Sequence, residues 1–294
     1  MSIKNYLDQK AKLINQELEN ILPNEDEKPI RLHKAMRYSV LAGGKRLRPA
    51  LTITTADLIS DKGKEVLAAA CAIELIHTYS LIHDDLPSMD DDEIRRGKPT
   101  NHLVFGNGIA ILAGDALLTY AFEIMSGLDN FKQNDILKAS NELAIASGNQ
   151  GMVGGQVADI LAEGKTINKA ELDYIHRNKT GALLKASVKI GAILAGANPK
   201  EIKALTEYAE EIGLAFQIVD DILDIEGDSE KLGKDAGSDL ARDKATFPAL
   251  YGLEEAKKLA KQKQAKAKQA LEIFSNNKAD LLAELADYIV ERSY

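Results

Sequence analysis

From Val66 to Ile82 the chain is apolar almost all the way round a helix, and this run constrains the fold more than any other stretch. Its polar exceptions are Glu74, His77 and Thr78, with Asp84 and Asp85 just beyond. At ~100° per residue these positions fall within about one third of the circumference. A helix this apolar belongs in an interior, so a polar stripe along it should line a cavity rather than face solvent. The stripe ends in Asp84-Asp85-Leu86-Pro87-Ser88-Met89-Asp90. Carboxylates this close repel one another and lose hydration on burial, so a positively charged, oxygen-seeking partner is expected between them.

The rest of the chain reads as helix. Apolar residues recur at helical spacing, as in Leu205, Tyr208, Ile212, Phe216, Val219 and Leu223, while alternating β-branched runs bounded by turns do not. Breaks at Pro23, Gly43-Gly44, Pro49, Pro87, Gly97 to Pro99, Gly127, Gly164 and Asn198-Pro199 divide it into about ten or more helices. No stretch reads as a linker, so residues 1–294 are expected to form one all-α domain. The 37 basic and 45 acidic residues give a net charge of −8, which argues against a nucleic-acid partner. A single cysteine, Cys71, fits a core position and a reducing, cytoplasmic setting. The N-terminus lacks the apolar core of a signal peptide, and no uninterrupted apolar run approaches the ~20 residues of a membrane span. The Lys-, Gln- and Ala-rich tract from Leu253 to Phe274 reads as an amphipathic surface helix.

A second acidic cluster, Asp220-Asp221-Ile222-Leu223-Asp224, also follows an apolar helical run. Its three aspartates lie within about 100° of one another, with Gln217 on the same stripe one turn earlier. Gly213, a turn before that, is expected to leave space beneath the polar groups. Periodicity leaves open whether this stripe is a solvent face or the wall of a cavity. Asp90 does not continue the first helix ideally, and Pro87 is expected to end or kink it and return Asp90 toward the metal. Mg²⁺, held by one or two carboxylates plus substrate phosphates, suits such clusters. Gly43-Gly44-Lys45-Arg46-Leu47-Arg48-Pro49 and Arg95-Arg96 supply the complementary cations. Each basic pair alone is commonly a surface feature; beside two acidic clusters, diphosphate binding is the better reading. P-loop, dinucleotide-fold, EF-hand and zinc spacings are missing.

With these motifs assembled, the chain closely resembles the short-chain trans-prenyl diphosphate synthases, above all the bacterial farnesyl branch. The resemblance rests on residues 43–49, 80–92, Arg-Arg-Gly-Lys-Pro-Thr at 95–100, Gly-Gly-Gln at 154–156, Lys-Thr-Gly at 179–181, Phe-Gln-Ile-Val-Asp-Asp-Ile-Leu-Asp at 216–224 and Gly-Lys-Asp at 233–235. It implies the isoprenoid synthase fold, with helices around a central catalytic cavity, and a homodimer without membrane insertion. It implies condensation of isopentenyl diphosphate with dimethylallyl and geranyl diphosphates to (2E,6E)-farnesyl diphosphate. By motif, Asp84, Asp85, Asp90, Asp220, Asp221 and Asp224 would bind Mg²⁺, three ions per site, with Asp239 assisting. Arg95, Lys179, Thr180, Gln217, Lys234 and Lys244 would hold the allylic diphosphate. Lys45, Arg48, His77 and Arg96 would hold isopentenyl diphosphate, and Gln156 and Asp159 would lie near the allylic site. Segment 226–244 would act as a flap that excludes water.

The resemblance also assigns product length to the residues before Asp84. Tyr79 would be the aromatic floor of the elongation pocket, with Ser80 beside it. Ideal helix geometry puts Ser80 beneath Asp84 but Tyr79 about 140° away, so the floor role comes from the resemblance alone. The alternatives are a geranylgeranyl diphosphate synthase, a class I terpene cyclase and a non-catalytic helical metal-binding protein. The cyclase lacks a reason for the second cationic pocket, and the non-catalytic protein lacks a reason for either.

Overall fold

The computed structural model describes residues 2–226, 246–275 and 277–291. Element order is α1 (Ile3–Ile21), α2 (Ile30–Val40), α3 (Leu47–Ser60), α4 (Leu67–Asp84), β1 (Ile94–Arg95), β2 (Lys98–Pro99), α5 (Asn101–Phe105), α6 (Asn107–Ser126), α7 (Gln133–Ser147), α8 (Met152–Ala162), α9 (Lys169–Lys179), α10 (Gly181–Ala195) and α11 (Pro199–Glu226). Then follow α12 (Phe247–Tyr251), α13 (Leu253–Ala270), a 3₁₀ turn (Leu271–Ile273) and α14 (Ala279–Glu291). The fold is all-α, as the periodicity predicts. Among the described residues, the antiparallel ladder of Ile94 with Pro99 and Arg95 with Lys98 is the exception. Sequence patterning missed it because two residues are too few to show alternation.

α4 lies at the centre. Cys71, Ile73, Leu75, Ile76 and Ile82 are fully or almost fully buried against α1, α2, α3, α6 and α10. A second apolar cluster, with Leu172, Ile175, Leu214, Ile218, Ile222 and Phe247, ties α9, α11, α12 and α13 together. The Lys-rich tract is helical as expected, but it is seated on α11 through buried Ala256 and Ala260. α6 is long and apolar enough to span a bilayer by length and composition. It is nonetheless interrupted by Asp115 and Glu123 and packs on α2 and α4.

Local chemistry sets the helix boundaries that position the site. Asn198 accepts hydrogen bonds from Lys200 N (2.9 Å) and Glu201 N (3.1 Å), while Glu201 accepts from Asn198 N, so α11 begins at Pro199 with its free N–H groups satisfied. Asn168 and Glu171 do the same for α9. This fixes the register that delivers Lys179 and Thr180 to the α9–α10 junction.

Close helix approach depends on missing side chains. A Cβ on Gly191 of α10 would stand 2.3 Å from the Thr52 carbonyl oxygen of α3. Gly213 corrects the sequence expectation: a Cβ there would lie 3.3 Å from Gly181 Cα, so this glycine seats α11 on α10 rather than leaving space below the aspartates. Replacing Gly191 with Ala should therefore lower the unfolding free energy by about 1–3 kcal/mol, the usual cost of overpacking. A fall in urea midpoint at constant slope would register it, and an unchanged midpoint would refute the contact.

Candidate active site

The first cluster lies where α4 ends. Beyond Asp84 the chain folds over Pro87, with Leu86 N donating to His83 O and Met89 N to Leu86 O. Asp90 N then donates to Asp84 O at 2.8 Å, which brings Asp90 back beside Asp84. Pro87 thus does end the helix and redirect the chain. Burial, reinforced by Asp90 and tempered by Lys179 and Arg95, pushes the Asp84 carboxyl up to about 6. Asp85 is buried and ion-paired to Arg95, which also reaches Asp92 at 2.9 Å.

The cationic groups sit on strained turns around α4. Gly43, Gly44 and Arg46 all have positive φ, and a Cβ on Gly44 would come within 2.9 Å of the Arg96 guanidinium. Arg96 itself has φ 55°, so the short hairpin sends Arg95 to Asp85 while Arg96 reaches toward Glu74 at 3.8 Å. Glu74 is the anionic hub. It is buried and bonds Arg46 at 2.7 Å, and Arg46 is held further by Asn15 and the Val40 carbonyl. Arg46 is therefore structural, while Arg48 and His77 line the cavity. Burial, with Arg48, Arg96, Arg46 and Arg95 nearby, holds His77 well below the ordinary histidine range, so it is a neutral imidazole at pH 7.

The third group comes from α8 to α12. Lys179 Nζ lies 2.6 Å from Asp159; burial opposes its charge, but Asp159, Asp84 and Asp90 together hold its pKa above the ordinary lysine range. Thr180 donates to Gln217 (2.8 Å), and Gln217 donates to Asp221 (3.0 Å). Asp221 also accepts from Phe247 N at 2.9 Å. Asp221 and Asp224 are buried and Asp220 is half-buried, so the stripe is not a solvent face, yet none of the three lines the cavity at Asp84 and Lys179. His176 stacks on Phe247 and lies 3.5 Å from Asp221. Burial drives its pKa to about 3, so this contact is no ion pair. Sequence reading missed His176, Phe247 and Glu74 as parts of the site, because each acts through partners distant in the chain. The one available signal was Glu74's place on the polar stripe.

α3, α4 and the turn after it, α6, α8 and the α9–α10 junction line a cavity of about 490 Å³. Its polar part includes Arg48, Asp84 and Lys179 with the neutral His77; its remaining wall includes Tyr79, Leu86, Met89, Ile111, Met152, Val153, Val157 and Ile160. Ser80, Gln156 and Thr180 also line it. Lys45 does not: it borders a separate hollow with Ile3, Lys4, Glu284 and Tyr288. A cavity of about 250 Å³ between α7, α10 and α11 holds none of the aspartates. Lys234, Asp239, Lys244 and nearly all of the expected flap lie outside the described residues. No group of three or more His, Cys, Asp or Glu side chains forms a ready metal cage among the described residues. Mg²⁺ takes one or two carboxylates and completes its shell with substrate phosphates and water. The half-buried Asp84, raised by desolvation and by Asp90, is a donor that a bound cation would relieve.

An all-α shell around a cavity of this kind, charged on one side and apolar on the other, defines a prenyltransferase of the isoprenoid synthase fold. A family model described as Polyprenyl synthetase matches residues 29–289, and the chain belongs to that family. It is 51% identical over 259 residues to the farnesyl diphosphate synthase of Geobacillus stearothermophilus, covering 87% of each chain. It is 48% identical over 293 residues to the chloroplastic geranylgeranyl pyrophosphate synthase of Capsicum annuum, covering 99% of this chain and 79% of that one. Among solved structures, a geranylgeranyl pyrophosphate synthetase from Pyrococcus horikoshii aligns with TM-score 0.90 at 34% identity, covering 99% and 98% of the two chains. An FPP/GFPP synthase from Zymomonas mobilis aligns with TM-score 0.87 at 40% identity and 98% coverage of both.

Removing one member of a buried ion pair strands the other. Glu74→Leu should lower stability by about 3–5 kcal/mol, and the double change with Arg46→Met should recover most of it. Chemical denaturation of both variants tests this, and a double variant no better than the single would refute the pairing.

Proposed function

We propose that this prenyltransferase condenses isopentenyl diphosphate with dimethylallyl and then geranyl diphosphate, releasing farnesyl diphosphate. One observation carries the reading: a single cavity passes from Arg48, His77, Asp84 and Lys179 to an apolar wall that includes Tyr79. The charged part suits two diphosphates, and the apolar part suits a growing hydrocarbon chain.

Asp84, Asp85, Asp90, Asp220, Asp221 and Asp224 would hold Mg²⁺, three ions per site, beside the allylic diphosphate. When bound, Mg²⁺ neutralises charge developing on that departing diphosphate. Lys179, Arg95 and Thr180, the last oriented by Gln217, take the same group from the protein side. Lys179 exchanges its bond to Asp159 for phosphate oxygens. Lys234, Lys244 and Asp239 belong to the same set. Arg48, Arg96 and His77 hold isopentenyl diphosphate, so that its double bond faces the allylic carbon, whereas Lys45 borders a separate hollow and stands outside this set. Cleavage of the allylic C–O bond sends the electron pair to diphosphate, and the isopentenyl double bond supplies the electrons of the new C–C bond. The proton then lost goes to the released diphosphate, so no dedicated protein base is required.

Tyr79 is the residue on which chain length turns. Its ring lines the cavity and is mostly buried, which supports a C15 stop. The geranylgeranyl reading draws on the plant relatives, whose names carry that activity. A homodimer is supported by Leu112, Leu137 and Leu161, which stand more than half exposed on α6, α7 and α8. A cytoplasmic setting is in keeping with the buried free thiol of Cys71.

Incubation with dimethylallyl and isopentenyl diphosphates plus Mg²⁺, followed by sizing of the product, should yield C15. A dominant C20 product would transfer the reading to a geranylgeranyl synthase, and failure to release diphosphate would refute both. Tyr79→Ala should extend the product beyond C15; unchanged chain length would remove Tyr79 from the floor.

A further inference from the structure

His83 also lines the cavity, and the roles assigned above leave it unused. It precedes Asp84 on α4, and its ring reaches α6. A Cβ built on Gly114 would stand 2.1 Å from His83 Nε2, so the ring occupies space that any side chain at 114 would claim. Nε2 lies 3.0 Å from the Ile111 carbonyl oxygen. A carbonyl only accepts, so Nε2 carries the hydrogen and the ring is tied to α6. The same ring meets Tyr79 one turn earlier on α4, edge to face, with centroids 5.7 Å apart and planes at 79°.

We propose that His83 is a positioning residue for product length: seated on Gly114 and bonded to the Ile111 carbonyl, its ring holds the Tyr79 ring in place against the growing chain. The inference rests on the reading of Tyr79 as the floor. A floor works only if it resists displacement, and a tyrosine side chain left to itself has other staggered rotamers to escape into. Edge-to-face contact with a ring anchored to a second helix closes that escape. Gly114 then matters to chain length without touching Tyr79.

The test is the ratio of C20 to C15 product, which a general loss of rate does not move. His83→Ala should raise the ratio roughly two- to tenfold, the range an aromatic pair of ordinary strength commands. In a Tyr79→Ala background the same change should add nothing further, because the ring it held is gone. Gly114→Ala, which puts a methyl group into the imidazole, should shift the ratio by about twofold or more. It should have no effect once His83 is Ala, since the methyl then meets no ring. Should His83→Ala make no product, Gly114→Ala decides alone: a shifted ratio supports the proposal and an unshifted one overturns it. If Tyr79→Ala lengthens the product while neither His83→Ala nor Gly114→Ala shifts the ratio, His83 is no buttress and the Tyr79 floor stands. An additive effect of Gly114→Ala in the absence of the ring also overturns the proposal. If Tyr79→Ala itself leaves the product unchanged, the floor reading has failed and this inference fails with it.

Discussion

An ionised carboxylate carried into a protein interior costs several kcal/mol unless a partner meets it there. α4 takes Glu74, Asp84 and Asp85 inward on one apolar helix. Each is met from a different element: Glu74 by Arg46 after the glycine turn, Asp85 by Arg95 on the hairpin, and Asp84 by Lys179 at the α9–α10 junction. Much of the remaining architecture serves those meetings. The left-handed turn at Arg46, the short ladder at Ile94–Pro99 and the capped start of α9 each place one cation against α4.

The same pairings prepare the cavity for its substrates. Cations crowded together without an anion would repel one another and swing into water. Glu74 keeps Arg46 in place and draws Arg96 in, while Asp159 keeps Lys179 at the cavity wall. A diphosphate entering such a site finds donors already gathered, and it exchanges partners rather than ordering loose side chains. On the other side of the cavity, apolar residues from α6 and α8 form the wall that the proposed reaction assigns to the hydrocarbon, and there the relevant property is shape. The two halves of the substrate are thus treated by different physics within one cavity.

Much of this is legible from residue order. The polar stripe on an apolar run is enough to imply an interior cavity, because so apolar a helix has nowhere else to put its polar groups. The aspartate spacing and the glycine-flanked cations point to metal and diphosphate. Other features are not legible, for identifiable reasons. Arg46, Arg48 and Lys45 sit in one short motif, yet one is a buried strut, one lines the cavity and one borders another hollow; local sequence cannot separate them because turn geometry decides. Gly213 reads as room for polar groups and is a helix contact, since what faces a missing side chain depends on the partner helix. Tyr79 looks misplaced by ideal angles, yet its ring lines the same cavity as Asp84.

By itself, the sequence determined the helical class, the burial of α4 and the chemistry of the site. Those follow from periodicity and residue type, which act within a few turns of helix. Only the tertiary structure decided which groups meet: Arg46 with Glu74, Thr180 with Gln217, Asp221 with the backbone of Phe247, and His83 with Gly114. Those pairings join residues on different helices, and the packing of helix on helix, down to the absence of a Cβ at Gly114, Gly191 and Gly213, sets which of them come within reach. The second aspartate cluster shows the division most clearly. Its spacing suited a solvent face and a cavity wall equally, and the burial of Asp221 and Asp224 excludes the solvent face.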